Sequence, residues 1–306
     1  MEDIKYVDDD VIIEPFAGAN NIPRMLEDGD ILPNAKWACF DIEPGKNVYP
    51  KCEIEQRDTI NDYPLGFKIA ITNPPYLSKN SATRRGLAYP DTKYDDVYKL
   101  CLEIMLRNTP YVAAIIPETF ITADLFHDRL HSVVSLTCRM FDDTDCPVCL
   151  AMFVPKSEVP DSFYIYRMND CLGEYRELKR GDIPDTLGIE WVFNDPNGKV
   201  GIWCIDNTRY ASIHFGDGDE IPSVKIKNTS RSLTRVGGFP DEINFQLFID
   251  DCNRLLKQYR DGTKDVFMAS FKGLRIDGLY RRRLDFATAR RIMNNALQNQ
   301  IQKGAK

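Results

Sequence analysis

The sequence predicts an α/β protein: a doubly wound, largely parallel sheet of seven strands over residues 1–156, followed by a smaller, mixed domain over residues 157–306. Three observations carry this expectation. Short β-branched or apolar runs alternate with helical spacing along the first half. Each of the first four runs ends in a turn or delivers a polar residue, as strands do where an open sheet presents its carboxyl edge. Proline and charge then enter together at residues 155–160, the composition of a boundary.

Val11-Ile12-Ile13 is the first strand, and it ends in Glu14-Pro15-Phe16-Ala17-Gly18-Ala19-Asn20 before residues 21–26 begin a helix. Gly18 allows a ligand close to the backbone, and Asn20 is one of the few non-glycine residues that tolerate the left-handed conformation. Trp37-Ala38-Cys39-Phe40 ends in Asp41-Ile42-Glu43-Pro44. An acid at that place in a doubly wound sheet can bind ribose hydroxyls, and a solvated strand-end carboxylate fits equally well. Cys52-Glu53-Ile54-Glu55-Gln56 is the third strand and delivers Asp58; Phe67-Lys68-Ile69-Ala70-Ile71 is the fourth and runs into Thr72-Asn73-Pro74-Pro75-Tyr76. Val97, Leu100, Cys101, Ile104 and Met105 keep helical spacing within residues 95–106. Strands are expected at 111–116, 133–140 and 148–154, and the short link between the last two predicts an antiparallel pair.

The fourth strand's turn has the most chemical content. An asparagine followed by two prolines fixes most of the local φ angles and removes two backbone N–H groups, which leaves outward carbonyls suited to accepting from an amine. A structural Asn-Pro turn with a core tyrosine accounts for the tetrapeptide as well. Residues 77–89 read as a loop carrying Lys79, Arg84 and Arg85. Cys146 and Cys149 have metal or redox spacing but no second pair, His127 and His131 lie one turn apart on an expected helix with no third ligand, and His214 sits alone in a strand-like run, so no metal site is predicted.

At 306 residues and 43% hydrophobic content the chain can bury a sizeable core. No run of about 18 apolar residues occurs and the first ten residues are acidic rather than signal-like, so no membrane partner and a cytoplasmic location are expected. Nine scattered cysteines argue for reduced thiols. The net charge of −7 argues against a polyanion partner until its distribution is considered. Residues 223–306 hold 17 Lys and Arg against 8 Asp and Glu, a net +9, which leaves −16 on the preceding residues.

In the second half, residues 163–168, 200–205 and 211–215 read as strands, the last two as a hairpin around Asn207-Thr208-Arg209. Helices are expected over about 241–259, with Asp241 as N-cap and Gly262 as stop, and over 288–301. Between them lie Lys225, Lys227, Arg231, Arg235, Lys272, Arg275, Arg281, Arg282 and Arg283, candidates for phosphate contact or, equally, a solvated basic surface.

Taken in order, Glu14-Pro15-Phe16-Ala17-Gly18, Asp41, Asp58 and Asn73-Pro74-Pro75-Tyr76 make the first 155 or so residues resemble the S-adenosylmethionine-dependent DNA adenine-N6 methyltransferases. The resemblance implies a seven-stranded Rossmann-like catalytic domain and a C-terminal target-recognition region. Glu14, Pro15, Phe16, Gly18, Asp41, Ile42, Asp58 and Asn73 would hold S-adenosyl-L-methionine. Asn73, Pro74 and Tyr76 would carry catalysis, with Tyr76 and Phe141 flanking the flipped base. Double-stranded DNA is the implied partner, touched by Lys79, Arg84, Arg85, Lys225, Lys227, Arg231, Arg235, Arg281, Arg282 and Arg283. A monomer, with a cognate restriction endonuclease in the same organism, is the implied setting. Two features depart from the family. Asn20 stands where a second glycine is usual, and only residues 1–10 precede the first strand, so the cofactor-touching segment expected there is either minimal, with Tyr6 its aromatic, or moved by permutation. An RNA adenine, a protein glutamine and cytosine N4 are alternative acceptors served by similar turns, although the cytosine enzymes more often begin theirs with serine. A non-catalytic binding module is the alternative of another class.

Overall fold

A computed structural model of the chain describes residues 10–137, 140 and 146–304. Two compact units emerge, one of Met1–Leu136 with Val148–Cys171 and one of Thr137–Pro147 with Leu172–Lys306.

The first unit contains β1 (Val11–Glu14), α1 (Asn21–Asp28), β2 (Lys36–Asp41), β3 (Ile54–Gln56), β4 (Ile69–Thr72), α2 (Lys79–Arg85), α3 (Val97–Asn108), β5 (Tyr111–Pro117), β6 (Leu130–Leu136), β7 (Val148–Phe153) and β8 (Tyr164–Arg167), and the boundary between units falls within β9 (Asp170–Glu174). The strands form one sheet in the order β3-β2-β1-β4-β5-β7-β6-β8-β9. Pairs among β1 to β5 are parallel, whereas β7 runs antiparallel to both β5 and β6. This is the doubly wound Rossmann-like arrangement the sequence predicts, with β8 and β9 extending the edge beyond the seven expected strands. The strands read as near-continuous apolar runs because both faces are covered: Ile12, Ile13, Ala70, Ala114 and Ile116 are all buried. From α3, Val97, Tyr98, Cys101, Leu102, Met105 and Leu106 are buried, each large side chain contributing roughly 1.5–3 kcal/mol. Arg129 then caps the carbonyl end of α3 by donating to Leu106, Thr109 and Pro110 oxygens.

Three local expectations are corrected. Residues 77–89 contain a helix, α2, because Ser78 supplies an N-cap that accepts from the Ser81 N–H at 3.2 Å and Gly86 takes the left-handed C-cap. His127 and His131 do not share a helix: His127 lies in a turn, against the Phe163 ring, and His131 lies in β6. That strand begins at Leu130, earlier than the expected residue 133.

The second unit comprises α4 (Tyr175–Arg180), β10 (Val192–Phe193), β11 (Val200–Trp203), β12 (His214–Asp217), β13 (Leu233–Gly237), α5 (Phe245–Thr263), β14 (Ala269–Leu274), β15 (Tyr280–Arg283) and α6 (Phe286–Gly304). An antiparallel sheet runs β10-β13-β11-β12, and β14 pairs with β15 in a separate hairpin. The predicted hairpin around Asn207 forms, with β11 and β12 as its arms. The N-cap of α5 is Asn244, whose side chain accepts from the Leu247 N–H at 3.0 Å, rather than Asp241, which pairs with Lys199. Among the described residues no helix is long and apolar enough to cross a membrane.

Candidate active site

Strand order reverses about β1: β2 and β3 lie to one side, β4 and β5 to the other. The carboxyl ends of β1 and β4 therefore flank the crevice in which ligands of doubly wound sheets sit. Those two ends carry Glu14 with the Gly18 turn and Thr72 with the Asn73 turn.

Glu14 is 1% exposed. Its Oε1 accepts from the Thr72 hydroxyl at 2.5 Å and from the Phe16 N–H at 3.2 Å, so one carboxyl oxygen ties the two strand ends together. The other, Oε2, is buried and has no hydrogen-bond partner among the described residues. Burial pushes the carboxyl up to about 8 against the two lowering hydrogen bonds, and the charge of Asp41 adds to the rise. A buried carboxyl with one orphaned oxygen and no ion pair among the described residues suits a cationic or hydrogen-bond-donating ligand.

The turn after β1 is held open by its backbone. Gly18 has φ +54°, and a Cβ there would meet nothing within 4 Å, so conformation rather than space demands glycine. Its N–H donates to Asp41 Oδ2 at 2.8 Å, while the other Asp41 oxygen accepts from the Glu43 N–H at 2.9 Å. Asn20 adopts φ 64° and ψ 36°, the left-handed conformation, and is fully buried. Its side-chain amide donates to the Cys52 carbonyl at 2.9 Å and to Asn47 Oδ1 at 3.2 Å. Gly45 and Val48 N–H groups donate to Gly18 and Ala19 carbonyls at 2.7 and 2.9 Å, so the segment after Asp41 is fastened along the turn. Gly45 allows this close approach, since a Cβ there would stand 3.1 Å from the Gly18 oxygen and press on the turn. Thr59 holds the turn from its other side, donating to the Pro15 carbonyl at 2.7 Å. Asp58 closes its own local turn, accepting from the Ile60 and Asn61 N–H groups at 3.1 and 3.3 Å and from the Asn61 side chain at 2.7 Å.

At the second strand end, Pro74 is buried while Asn73 and Tyr76 are half-buried. The Tyr76 hydroxyl lies 2.5 Å from Asn73 Oδ1 and 2.7 Å from the Ile115 carbonyl on β5. One phenolic hydrogen faces two acceptors, so it can hold the asparagine amide in place or release it to the backbone. The Tyr76 ring meets Tyr98 edge-on at 6.3 Å. Leu77 N–H donates to Asp96 Oδ1 at 3.1 Å, which anchors the chain leaving the turn to the start of α3.

The structure thus brings Glu14, Pro15, Phe16, Gly18, Asp41 and Asn73 to the switch point of one sheet. Ile42 is exposed beside Asp41, and Phe141 lies outside the described residues. Lys79, Arg84 and Arg85 are exposed on α2, as are Lys225, Lys227 and Arg231 in the second unit. Arg235 and Arg282 are buried instead: Arg235 donates to the Gly198 carbonyl and to Asp219, and Arg282 to the Ser270 hydroxyl. Arg281 donates to the Asp206 carbonyl at 2.7 Å. These three cations are committed to internal bonds. Sequence reasoning missed Thr72, Thr59 and Asn47 as parts of the site; a lone threonine closing the apolar run Ile69-Ala70-Ile71 was the available signal for the first. Among the described residues no group of three or more His, Cys, Asp and Glu side chains could hold a metal ion.

No protein-family model and no curated protein matches the chain. Solved structures similar to it include the M protein of the type I restriction enzyme EcoKI, at 14% identity over 96% of this chain and 67% of that one, with a TM-score of 0.40. A type I restriction-modification methyltransferase subunit from Streptococcus thermophilus shares 13% identity over 51% of this chain and 42% of its own, TM-score 0.38. The type IIG restriction endonuclease BpuSI shares 18% over 57% of this chain and 26% of its own, TM-score 0.38. The chain spans less than half the length of the latter two, and likeness at this level does not identify a reaction.

Proposed function

We propose that the carboxyl edge of β1 and β4 binds S-adenosyl-L-methionine and that the chain methylates the exocyclic N6 of adenine in duplex DNA. One observation carries this reading: the orphaned, buried oxygen of Glu14 and the Asn73-Pro74 turn lie at the two strand ends of a single topological switch point, joined through Thr72. When bound, the cofactor supplies a methyl group on a sulfonium that leaves as a neutral thioether. The residues present suit it, because the Glu14 oxygen lacks a partner and the Gly18 turn leaves open space where a side chain would otherwise stand.

An exocyclic aromatic amine is a weak nucleophile because its lone pair is delocalised into the ring. The Asn73 side-chain oxygen and the Pro74 carbonyl each accept one of its two N–H hydrogens, which localises the lone pair by positioning and electrostatics. Tyr76 fixes the asparagine amide through its hydroxyl, and a carbonyl oxygen has a second lone pair for the amine. Tyr76, with Phe141 on the resemblance alone, would flank a base taken out of the stack. Lys79, Arg84 and Arg85 would contact phosphates. The basic C-terminal segment favours DNA, and a setting in restriction-modification or in phage or host DNA protection follows the same resemblance.

The test offers labelled S-adenosylmethionine with duplex DNA, RNA and protein in parallel, followed by nucleoside analysis. Label in N6-methyladenine of DNA is expected, and Asn73→Ala should lower it by at least roughly 10²–10³-fold while cofactor binding survives. Label appearing only in RNA or protein would overturn the choice of acceptor.

A further inference from the structure

We propose that the loop 207–211 and the tip of the β14–β15 hairpin form one rigid edge that reads duplex DNA, with Tyr210 and Ile276 against base edges and Arg209 and Lys272 on phosphates. This rests on the reading of the chain as a DNA methyltransferase, and it names the element of the second unit that meets the bases.

The two segments are built as one piece. Asp206 is fully buried; its Oδ1 accepts from the Ser212 and Ile213 N–H groups at 2.7 and 3.2 Å and from Arg260 Nη1 at 2.9 Å. Its Oδ2 accepts from Arg260 Nη2 at 2.8 Å and from Arg275, at the hairpin tip, at 3.4 Å. The Asp206 N–H donates to the Arg282 carbonyl at 2.9 Å, and its carbonyl accepts from Arg281 Nε at 2.7 Å. Farther out, Asn207 Oδ1 accepts from the Arg209 and Tyr210 N–H groups at 2.7 and 2.9 Å, and the Ile276 N–H donates to the Thr208 carbonyl at 2.8 Å. The buried carboxylate thus fixes loop and hairpin from below, and a backbone bond joins them near their tips.

What this support presents to solvent is apolar and cationic. Ile276 is 85% exposed and Tyr210 62%, with Leu274 exposed beside them. Arg209 and Lys272 are exposed, and neither enters an ion pair among the described residues. The tip's acid, Asp277, is held by Arg275 at 2.7 Å. Tyr210, Leu274 and Ile276, grouped on two segments joined by a backbone bond rather than scattered singly, offer a partner an apolar surface, and the unpaired cations beside them suit a polyanion. A two-stranded ribbon fits the major groove of B-DNA, where apolar side chains contact thymine methyl groups and cations reach the backbone.

The test uses the full chain on mixed-sequence genomic DNA, with single-molecule sequencing of the methylated positions. In the double variant Tyr210→Ser with Ile276→Ser, methylation at the wild-type sites should fall at least tenfold or spread to a relaxed motif, with S-adenosylmethionine binding and far-UV circular dichroism unchanged. Leu187→Ser, at an equally exposed position (87%), should leave sites and rate as they are. For a mixed-sequence duplex of 30 base pairs, Arg209→Ala with Lys272→Ala should reduce the slope of log K against log salt by roughly 0.9 per cation. An apolar double variant with wild-type sites and rate, or a cation variant with the wild-type slope, overturns the inference while leaving the catalytic reading intact. A wild-type chain that methylates no DNA overturns both.

Discussion

Glu14 and Asp206 are both buried carboxyl groups, and their surroundings differ in the one respect that separates a ligand site from a structural bolt. Among the described residues Glu14 keeps one oxygen without a partner and no cation pairs with it, and burial pushes its carboxyl up to about 8. Asp206 is also subject to burial, but hydrogen bonds and charge from Arg260, with the Ser212 and Ile213 N–H groups, outweigh it and hold the carboxyl below its ordinary range. Both are closed to solvent, and Glu14 is the more deeply desolvated and the less compensated of the two. A charge the fold has already neutralised supports the fold, whereas an acid left half-satisfied is available to something that arrives later.

The comparison can be broken at either end. Asp206→Ala should cost at least about 1–3 kcal/mol of unfolding free energy, because it strips the buried Ser212 and Ile213 N–H groups and Arg260 Nη1 of their acceptor, although Arg260 keeps Asp265 and Arg275 keeps Asp277; a urea midpoint near wild type would remove Asp206 from its structural role. Thr72→Val, which deletes the hydroxyl that joins β4 to Glu14, should slow methyl transfer more than it weakens cofactor binding, and should cost about 1–3 kcal/mol of stability for the bond lost. The pH dependence separates the two acids by sign. Glu14 holds its proton more tightly folded than unfolded, so it makes the ligand-free chain lose stability as pH rises from about 4.5 to about 8, a slope that Glu14→Gln should flatten in calorimetric melts. Asp206 does the opposite: its contribution is present above the ordinary carboxylate range and is lost as pH falls through its lowered value.

The strands of the first unit were legible because β-branched and apolar runs report on a local property, the burial of both faces of a sheet. Gly18, Asp41 and the Asn73 turn followed, since topology puts successive strand ends on one edge. What stayed hidden depends on distant partners. Arg260, Arg275 and Arg281 meet Asp206 across 54, 69 and 75 residues, and nothing local distinguishes them from a solvated basic surface. The same reason explains why Arg235 and Arg282 read as phosphate contacts although they are buried. The helix α2 was lost differently: its seven residues, Lys79–Arg85, contain a single buried side chain, Ala82, so no apolar stripe announced it.

On the proposed function, Glu14 waits, protonated and half-satisfied, for the cationic methyl donor. Titration calorimetry of S-adenosylmethionine at pH 7, repeated in buffers of different ionisation enthalpy, tests it directly. Binding with release of up to roughly one proton is expected from the wild-type chain, and weaker binding without that release from Glu14→Gln. Wild-type binding with no proton release, or an unchanged release from Glu14→Gln, would contradict it.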